Sequence, residues 1–309
     1  MKKIFLIFTF ILFSTLVYAG DDKIRESGFI NKKARLIKGF EIKDPKNKII
    51  LIYNHGQNEN DTVSYCTWVE YLRNHASLID QEINGKKIMV YNLCSDHLRG
   101  DMSSKKDWWY LKPQPKIYEG KHILDKRVEL NLELIEKFVD AGVPRKQVFV
   151  TGHSCGGLTT LMFFARHPEK AGGGIAYAPA CFYKISKKYK VKKKGLEEAL
   201  ASFKKKKPAQ FDLRAKYNDE ILNQVKTPVL VFTHPKDTYE GLTSDWLDNV
   251  EGMNRIVIST DYKINGNKCF KLGKKSTDKF PVNDGHQMDQ ATCFQEYNPE
   301  ILNYIKSRI

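Results

Sequence analysis

Gly152-His153-Ser154-Cys155-Gly156 sets a single hydroxyl between two glycines, straight after the apolar run 147–151. A serine hydroxyl is a poor nucleophile by itself and attacks a carbonyl only when a base within hydrogen-bond reach takes its proton. Small residues on both sides permit a sharp strand-to-helix turn, because any side chain there would strike the neighbouring backbone. Such a turn pushes Oγ out at the carboxyl edge of a sheet. It also aims the N–H groups and positive end of the next helix at the negative charge that develops on an attacked carbonyl. The competing reading is a plain Gly-rich β–α turn, and the strand before it and helix after it count against that.

The base should be a histidine, and the chain offers His55, His75, His97, His122, His153, His167, His234 and His286. His286 is the candidate. It lies in the turn-rich Asn283-Asp284-Gly285-His286-Gln287-Met288, after the last strand and before the last helix. The third member is an acid that orients the imidazole and stabilises its protonated form. Asp237 is the first choice, because it follows the apolar strand 227–233 through His234-Pro235-Lys236. Asp245 is the alternative, Asp261 follows the next strand, and Asp284 is too near His286 in sequence to be a comfortable partner. Asp237 could instead be an ordinary helix N-cap.

Two backbone N–H donors must converge on an oxyanion. Cys155, next to the nucleophile, supplies one. Gln57 is the candidate for the other, in Asn54-His55-Gly56-Gln57 after the strand 48–53, with His55 holding that loop. Trp108-Trp109-Tyr110 could line a pocket for an aromatic or sugar-bearing substrate, or could equally anchor a long loop.

These residues have to be carried by an alternation of strands and helices, which favours a mostly parallel sheet covered on both faces. Strands are expected at 48–53, 87–93, 147–151, 173–178, 227–233 and 255–259, with edge strands possible within 30–43. Helices are expected at 122–141, stopping at Gly142 before Pro144, at 158–166, and from 299. The stretch 182–226 is too long for a crossover loop. Helical spacing near 196–203 and 218–225 makes it a small insertion, a possible cap.

His55-Gly56, Gly152-His153-Ser154-Cys155-Gly156-Gly157, Asp237 and His286, in the order Ser, Asp, His, resemble the α/β-hydrolases of the dienelactone-hydrolase and secreted-esterase kind, over nearly all of residues 30–309. The resemblance implies that fold, hydrolysis of esters or amides through the three residues, and no metal or organic cofactor. True dienelactone hydrolases typically use Cys where this chain has Ser154, so that substrate is not implied. Ester hydrolysis through an acyl-enzyme is the leading expectation, on a small or polymeric ester. A peptidase or amidase, an acyltransferase, and a non-catalytic binding protein of the same fold are the alternatives.

Composition sets the outer bounds. Of 309 residues, 41% are hydrophobic and 12% aromatic, which suits a packed globule. Residues 1–19 read as a secretory signal: Lys2 and Lys3, an apolar run from Ile4 to Val17, then Val17-Tyr18-Ala19 before Gly20. A membrane anchor is the weaker reading, because the run is short for a span. The remainder, 20–309, is expected to be one domain, exported to a periplasm or the medium. Net charge is +15, and residues 184–207 hold eleven lysines against Glu197 and Glu198. No zinc-finger, RRM or helix-turn-helix pattern accompanies them, so nucleic acid is not the expected partner. A solvated basic face is the bland reading, and attraction of an acidic substrate or an anionic surface the sharper one. Export permits disulfides. Cys269–Cys293 is the first expected pair and Cys66–Cys94 the second, with Cys155 and Cys181 left as candidate free thiols.

Overall fold

The alternation in 48–54 sends Ile50 and Ile52 into one apolar layer and Ile49, Leu51 and Tyr53 into another. A strand buried on both faces must lie inside a sheet with helices above and below it. The computed structural model shows this arrangement and describes residues 27–37, 41–56, 69–95, 122–224, 226, 228–258, 263–264, 267–268, 285–290 and 292–309.

Among them, β1 (Gly28–Phe29), β2 (Lys48–Asn54), β3 (Glu82–Ile83), β4 (Lys86–Leu93), β5 (Val148–His153), β6 (Gly173–Tyr177), β7 (Val229–Thr233) and β8 (Met253–Val257) form one sheet. Its order is β1-β4-β2-β5-β6-β7-β8, with β3 paired to β4. From β4 to β8 every neighbouring pair is parallel, and β1 and β3 are antiparallel partners of β4. Of the edge strands considered within 30–43, the described residues show an isolated bridge between Ile30 and Leu36, and the antiparallel strand β1 lies just before that stretch.

The short α1 (Arg73–Ala76) is followed by α2 (Ile123–Asp140) and α3 (Cys155–Arg166). The insertion contains α4 (Ile185–Lys188), α5 (Val191–Lys194), α6 (Leu196–Lys206) and α7 (Pro208–Leu222), and α8 (Asn298–Lys306) closes the chain. The last helix of the insertion, α7, starts ten residues earlier than its apolar spacing suggests, because Pro208 occupies its first turn, where a missing N–H costs nothing. Residues of α2, α3 and the insertion share one apolar layer, and α1 and α8 cover the other face. The insertion is therefore continuous with the main core. Arg166 of α3 ties it down, pairing with Asp125 of α2 at 2.8 Å and Glu220 of α7 at 2.5 Å. No described helix is long and apolar enough to cross a membrane.

The chain runs from β2 to β4 on one side, then returns to β5 on the other side of β2. The order of strands thus reverses between β2 and β5, and the crevice at their carboxyl ends is where open parallel sheets place ligands. Asn54-His55-Gly56 and Ser154 both emerge there.

Candidate active site

Ser154 stands between β5 and α3 with φ 56° and ψ −121°, a conformation that L residues adopt at a cost of about 1–3 kcal/mol. Close packing of the flanking glycines enforces it. A Cβ on Gly156 would collide with the Asn54 carbonyl, and one on Gly152 would lie 2.5 Å from the Gly156 backbone. Ser154 N–H donates to Tyr177 O at 3.0 Å, and Ala180 N–H donates to Ser154 O at 3.1 Å, so the turn is sewn to the end of β6. α3 begins three residues before its apolar spacing suggests, directly after the serine. Leu158 is the first residue whose N–H reaches a helix carbonyl, that of Ser154. The N–H of Cys155 lies in the first turn, where a helix offers it no acceptor.

His286 reaches the nucleophile from a 3-10 turn, residues Gly285–Gln290. Its Nε2 is 2.7 Å from Ser154 Oγ. Its Nδ1 is 3.1 Å from Asp237 Oδ1. Ser154, Asp237 and His286 are all buried. Asp237 is fixed by its own loop, where Oδ1 accepts the Tyr239 N–H at 2.7 Å. The other acid weighed from sequence, Asp245, lies away from this cluster and pairs with Arg255 at 3.0 Å. Asp261, Asp284, Gln57, Trp108, Trp109 and Tyr110 lie outside the described residues.

One face of His286 is covered by Tyr239, stacked on it with ring centroids 4.2 Å apart and ring planes at 29°. Lys184 places its Nζ 5.2 Å from the centre of the Tyr239 ring. Ser186 and Lys187 N–H groups donate to the carbonyls of Tyr239 and Thr238, at 2.8 and 3.1 Å. The lysine-rich insertion is thus docked on the loop that carries the acid.

Two supports were not singled out from sequence. Arg127 Nη1 donates to His55 O at 2.9 Å, and Asn131 exchanges amide hydrogen bonds with Asn54 at 2.7 and 3.0 Å. Both come from α2 and hold the loop after β2. The available signal was two polar residues four apart among the core positions Ile123, Leu124, Val128 and Ile135, where an apolar face has no other use for them. The second support is His153 with Asp289, behind the imidazole of His286.

Cys155 and Cys181, expected as free thiols, form a disulfide with their Cα atoms 4.3 Å apart. The parallel pairing of β5 with β6 brings both strand ends to the same edge, so residues 26 apart in sequence meet. Cys94 is also disulfide-bonded. Cys66, Cys269 and the side chain of Cys293 lie outside the described residues. Replacing both Cys155 and Cys181 with Ala is expected to lower stability by about 3 kcal/mol, from the loop entropy restored to the unfolded chain. Turnover should survive, because the two main-chain hydrogen bonds of Ser154 still hold the turn. Thermal unfolding of the double variant beside the parent checks this, and an unchanged Tm would refute it. The described residues contain no group of three His, Cys, Asp or Glu that could hold a metal.

The family profile described as serine aminopeptidase, S33, matches residues 128–248, less than half of the chain. The structure is similar to that of the hyperthermophilic esterase from the archaeon Pyrobaculum calidifontis, with a TM-score of 0.50 over 91% of this chain and 85% of that one. The chain has the α/β-hydrolase fold. Sequence identity to the Pyrobaculum esterase is 15%, so the likeness concerns the fold alone. Weaker similarity extends to a monoacylglycerol lipase from Paleococcus ferrophilus, at TM-score 0.49 and 14% identity over 92% of this chain and 98% of that one. An S-formylglutathione hydrolase from Agrobacterium tumefaciens gives 0.47 and 14%, over 85% of each chain. No curated protein sequence matches this chain.

Proposed function

We propose that this α/β-hydrolase cleaves carboxylic esters through an acyl-enzyme, with Ser154 as nucleophile, His286 as base and Asp237 as the acid that holds the base. The observation that carries this is the 2.7 Å contact between Ser154 Oγ and His286 Nε2, with Asp237 3.1 Å from the other ring nitrogen, on a strained strand-to-helix turn. In the resting state the proton of His286 sits on Nδ1, facing the carboxylate, and Nε2 accepts from the hydroxyl. As Oγ bonds to the ester carbon, its proton passes to Nε2, and the carbonyl oxygen takes the negative charge. The Cys155 N–H faces that oxyanion, and Gln57 supplies the second donor. Collapse breaks the bond to the alcohol, which leaves with the proton from Nε2. Water then repeats the sequence, releases the acid and restores Ser154.

Amide hydrolysis is the second reading, favoured by the serine aminopeptidase profile over 128–248. The same three residues serve it, and only the pocket differs. Fluorophosphonate labelling tests the nucleophile in either case. Initial rates on p-nitrophenyl esters of increasing chain length, beside peptide and glucuronoyl-ester substrates, separate the two. A chain that neither labels nor turns over any of them would be a binding protein on a hydrolase scaffold.

The substrate, small or polymeric, is one that the basic insertion attracts. Lys184 stands over the ring that covers His286, and the other lysines of 184–207 are exposed on the same insertion. Esters bearing a carboxylate or phosphate are therefore expected to show a kcat/KM that falls about tenfold between 50 and 500 mM salt, as screening removes their steering. Neutral esters should change little. Equal salt sensitivity for both would refute this role. Two disulfide-bonded sites support placing the protein outside the cytoplasm, in a periplasm or the medium.

A further inference from the structure

Behind the imidazole of His286 lies a second, wholly buried set of polar groups that the acyl-transfer chemistry does not use. His153, the residue before the nucleophile, has its Nε2 2.6 Å from the main-chain carbonyl of His286. Its ring leans on the His286 ring at a centroid distance of 4.9 Å. The carboxylate of Asp289 is 3.7 Å from the same nitrogen. Asp289 is itself tied to the sheet and to α1. The Tyr53 hydroxyl donates to its Oδ2 at 3.2 Å, and Asn74 Nδ2 donates to its main-chain carbonyl at 2.5 Å.

A carbonyl and a carboxylate can only accept, so Nε2 of His153 has to carry a hydrogen. Burial disfavours the charged ring and pushes the pKa of His153 below its ordinary value. The neutral ring therefore holds its one hydrogen on Nε2, and Nδ1 is bare. The same desolvation raises the pKa of Asp289. The 3-10 turn that carries the base is thus fastened at two points: His153 at His286 itself, and Asp289 three residues later. On its other side the turn meets the loop of Asp237, where Gly285 N–H donates to Lys236 O at 3.4 Å and Tyr239 stacks on the imidazole.

We propose that His153 is a positioning residue for the hydrolytic reaction, its Nε2–H clamping the His286 main chain so that the imidazole meets Ser154 Oγ, with Asp289 as the buttress that favours this tautomer. The inference rests on the reading of Ser154 and His286 as nucleophile and base. It gives the nucleophile turn a direct hold on the base, without which the two would depend on separate loops. A displacement of about 1 Å at such a contact costs roughly a hundredfold in rate.

The test uses two polar replacements of similar character. In His153→Gln the amide nitrogen falls where Nε2 stood and can still donate to the carbonyl. In His153→Asn it stops one bond short. Serines are counted by fluorophosphonate titration, and kcat per titrated site and KM are measured on one p-nitrophenyl ester. His153→Gln is expected to stay within a few-fold of the parent. His153→Asn should lose about a hundredfold in kcat with KM unchanged. Equal kcat per site in both variants and the parent would make His153 a structural residue and overturn the proposal. A second measurement needs no variant to fold: nitrogen-15 spectra of the parent's histidine rings at neutral pH should show His153 protonated on Nε2, and a hydrogen on Nδ1 alone would overturn it equally. A parent protein with no titratable serine would instead remove the hydrolase reading on which the inference stands.

Discussion

Ser154→Ala is expected to lower turnover of the best ester substrate by 10^4-fold or more and to abolish fluorophosphonate labelling, with the fold intact. The size follows from the role. Without Oγ no acyl-enzyme forms, His286 has no proton to take and Asp237 no imidazolium to stabilise, so the three residues lose their effect together. What is left is the weak stabilisation that the Cys155 N–H offers to direct attack by water. Stability should change by only about 1 kcal/mol in either direction, because Oγ has a single hydrogen to give, to His286 Nε2 at 2.7 Å or to Ala180 O at 3.1 Å. The turn itself is held by main-chain contacts and by the close approach of Gly156 to Asn54, neither of which depends on the hydroxyl. Labelling and turnover must be read on the same preparation, with circular dichroism confirming the fold. A variant that keeps a tenth of the parent's activity would exclude Ser154 as the nucleophile. It would also direct attention away from this end of β5.

Much of this site could be read from the chain because its parts are local. Gly152, Ser154 and Gly156 must be close in sequence to make one sharp turn, and β5 and α3 flank them immediately. Asp237 and His286 each follow recognisable apolar or turn-rich stretches, in an order that the parallel sheet returns to one edge. What was not legible depends on contacts between elements. Cys155 pairs with Cys181 only because β5 and β6 are neighbours, and neither spacing nor count foretells that. Arg127, Asn131, His153 and Asp289 are polar groups whose burial is tolerable only once specific partners satisfy them, and those partners come from β2, α1 and the 3-10 turn. Pattern shows them merely as exceptions on apolar faces. Most strand and helix limits shifted by a few residues, and the start of α7 by ten, for a similar reason, since propensity marks the interior of an element better than its ends.

The acid is the member with a rival, and Asp237→Ala against Asp245→Ala separates the two. Asp237→Ala is expected to cut kcat by about 10^4-fold, because the imidazole then loses both the acceptor that fixes its hydrogen on Nδ1 and the negative charge that stabilises the imidazolium. Asp245→Ala should leave kcat unchanged, since its carboxylate pairs with Arg255 and not with His286. A third variant tells which of the two losses matters. Oδ1 of Asp237 is the atom that accepts the Tyr239 N–H at 2.7 Å and also faces His286 Nδ1 at 3.1 Å. In Asp237→Asn, that N–H keeps the amide oxygen, not the amide nitrogen, at the shared position. The correct tautomer of His286 survives and only the charge is lost. Asp237→Asn should therefore retain clearly more activity than Asp237→Ala, unlike a site whose acid can swing its amide nitrogen toward the ring. Equal losses in the two variants would mean that the Tyr239 main chain does not hold Oδ1 during turnover. A larger loss in Asp245→Ala than in either would transfer the acid's role to the neighbouring turn.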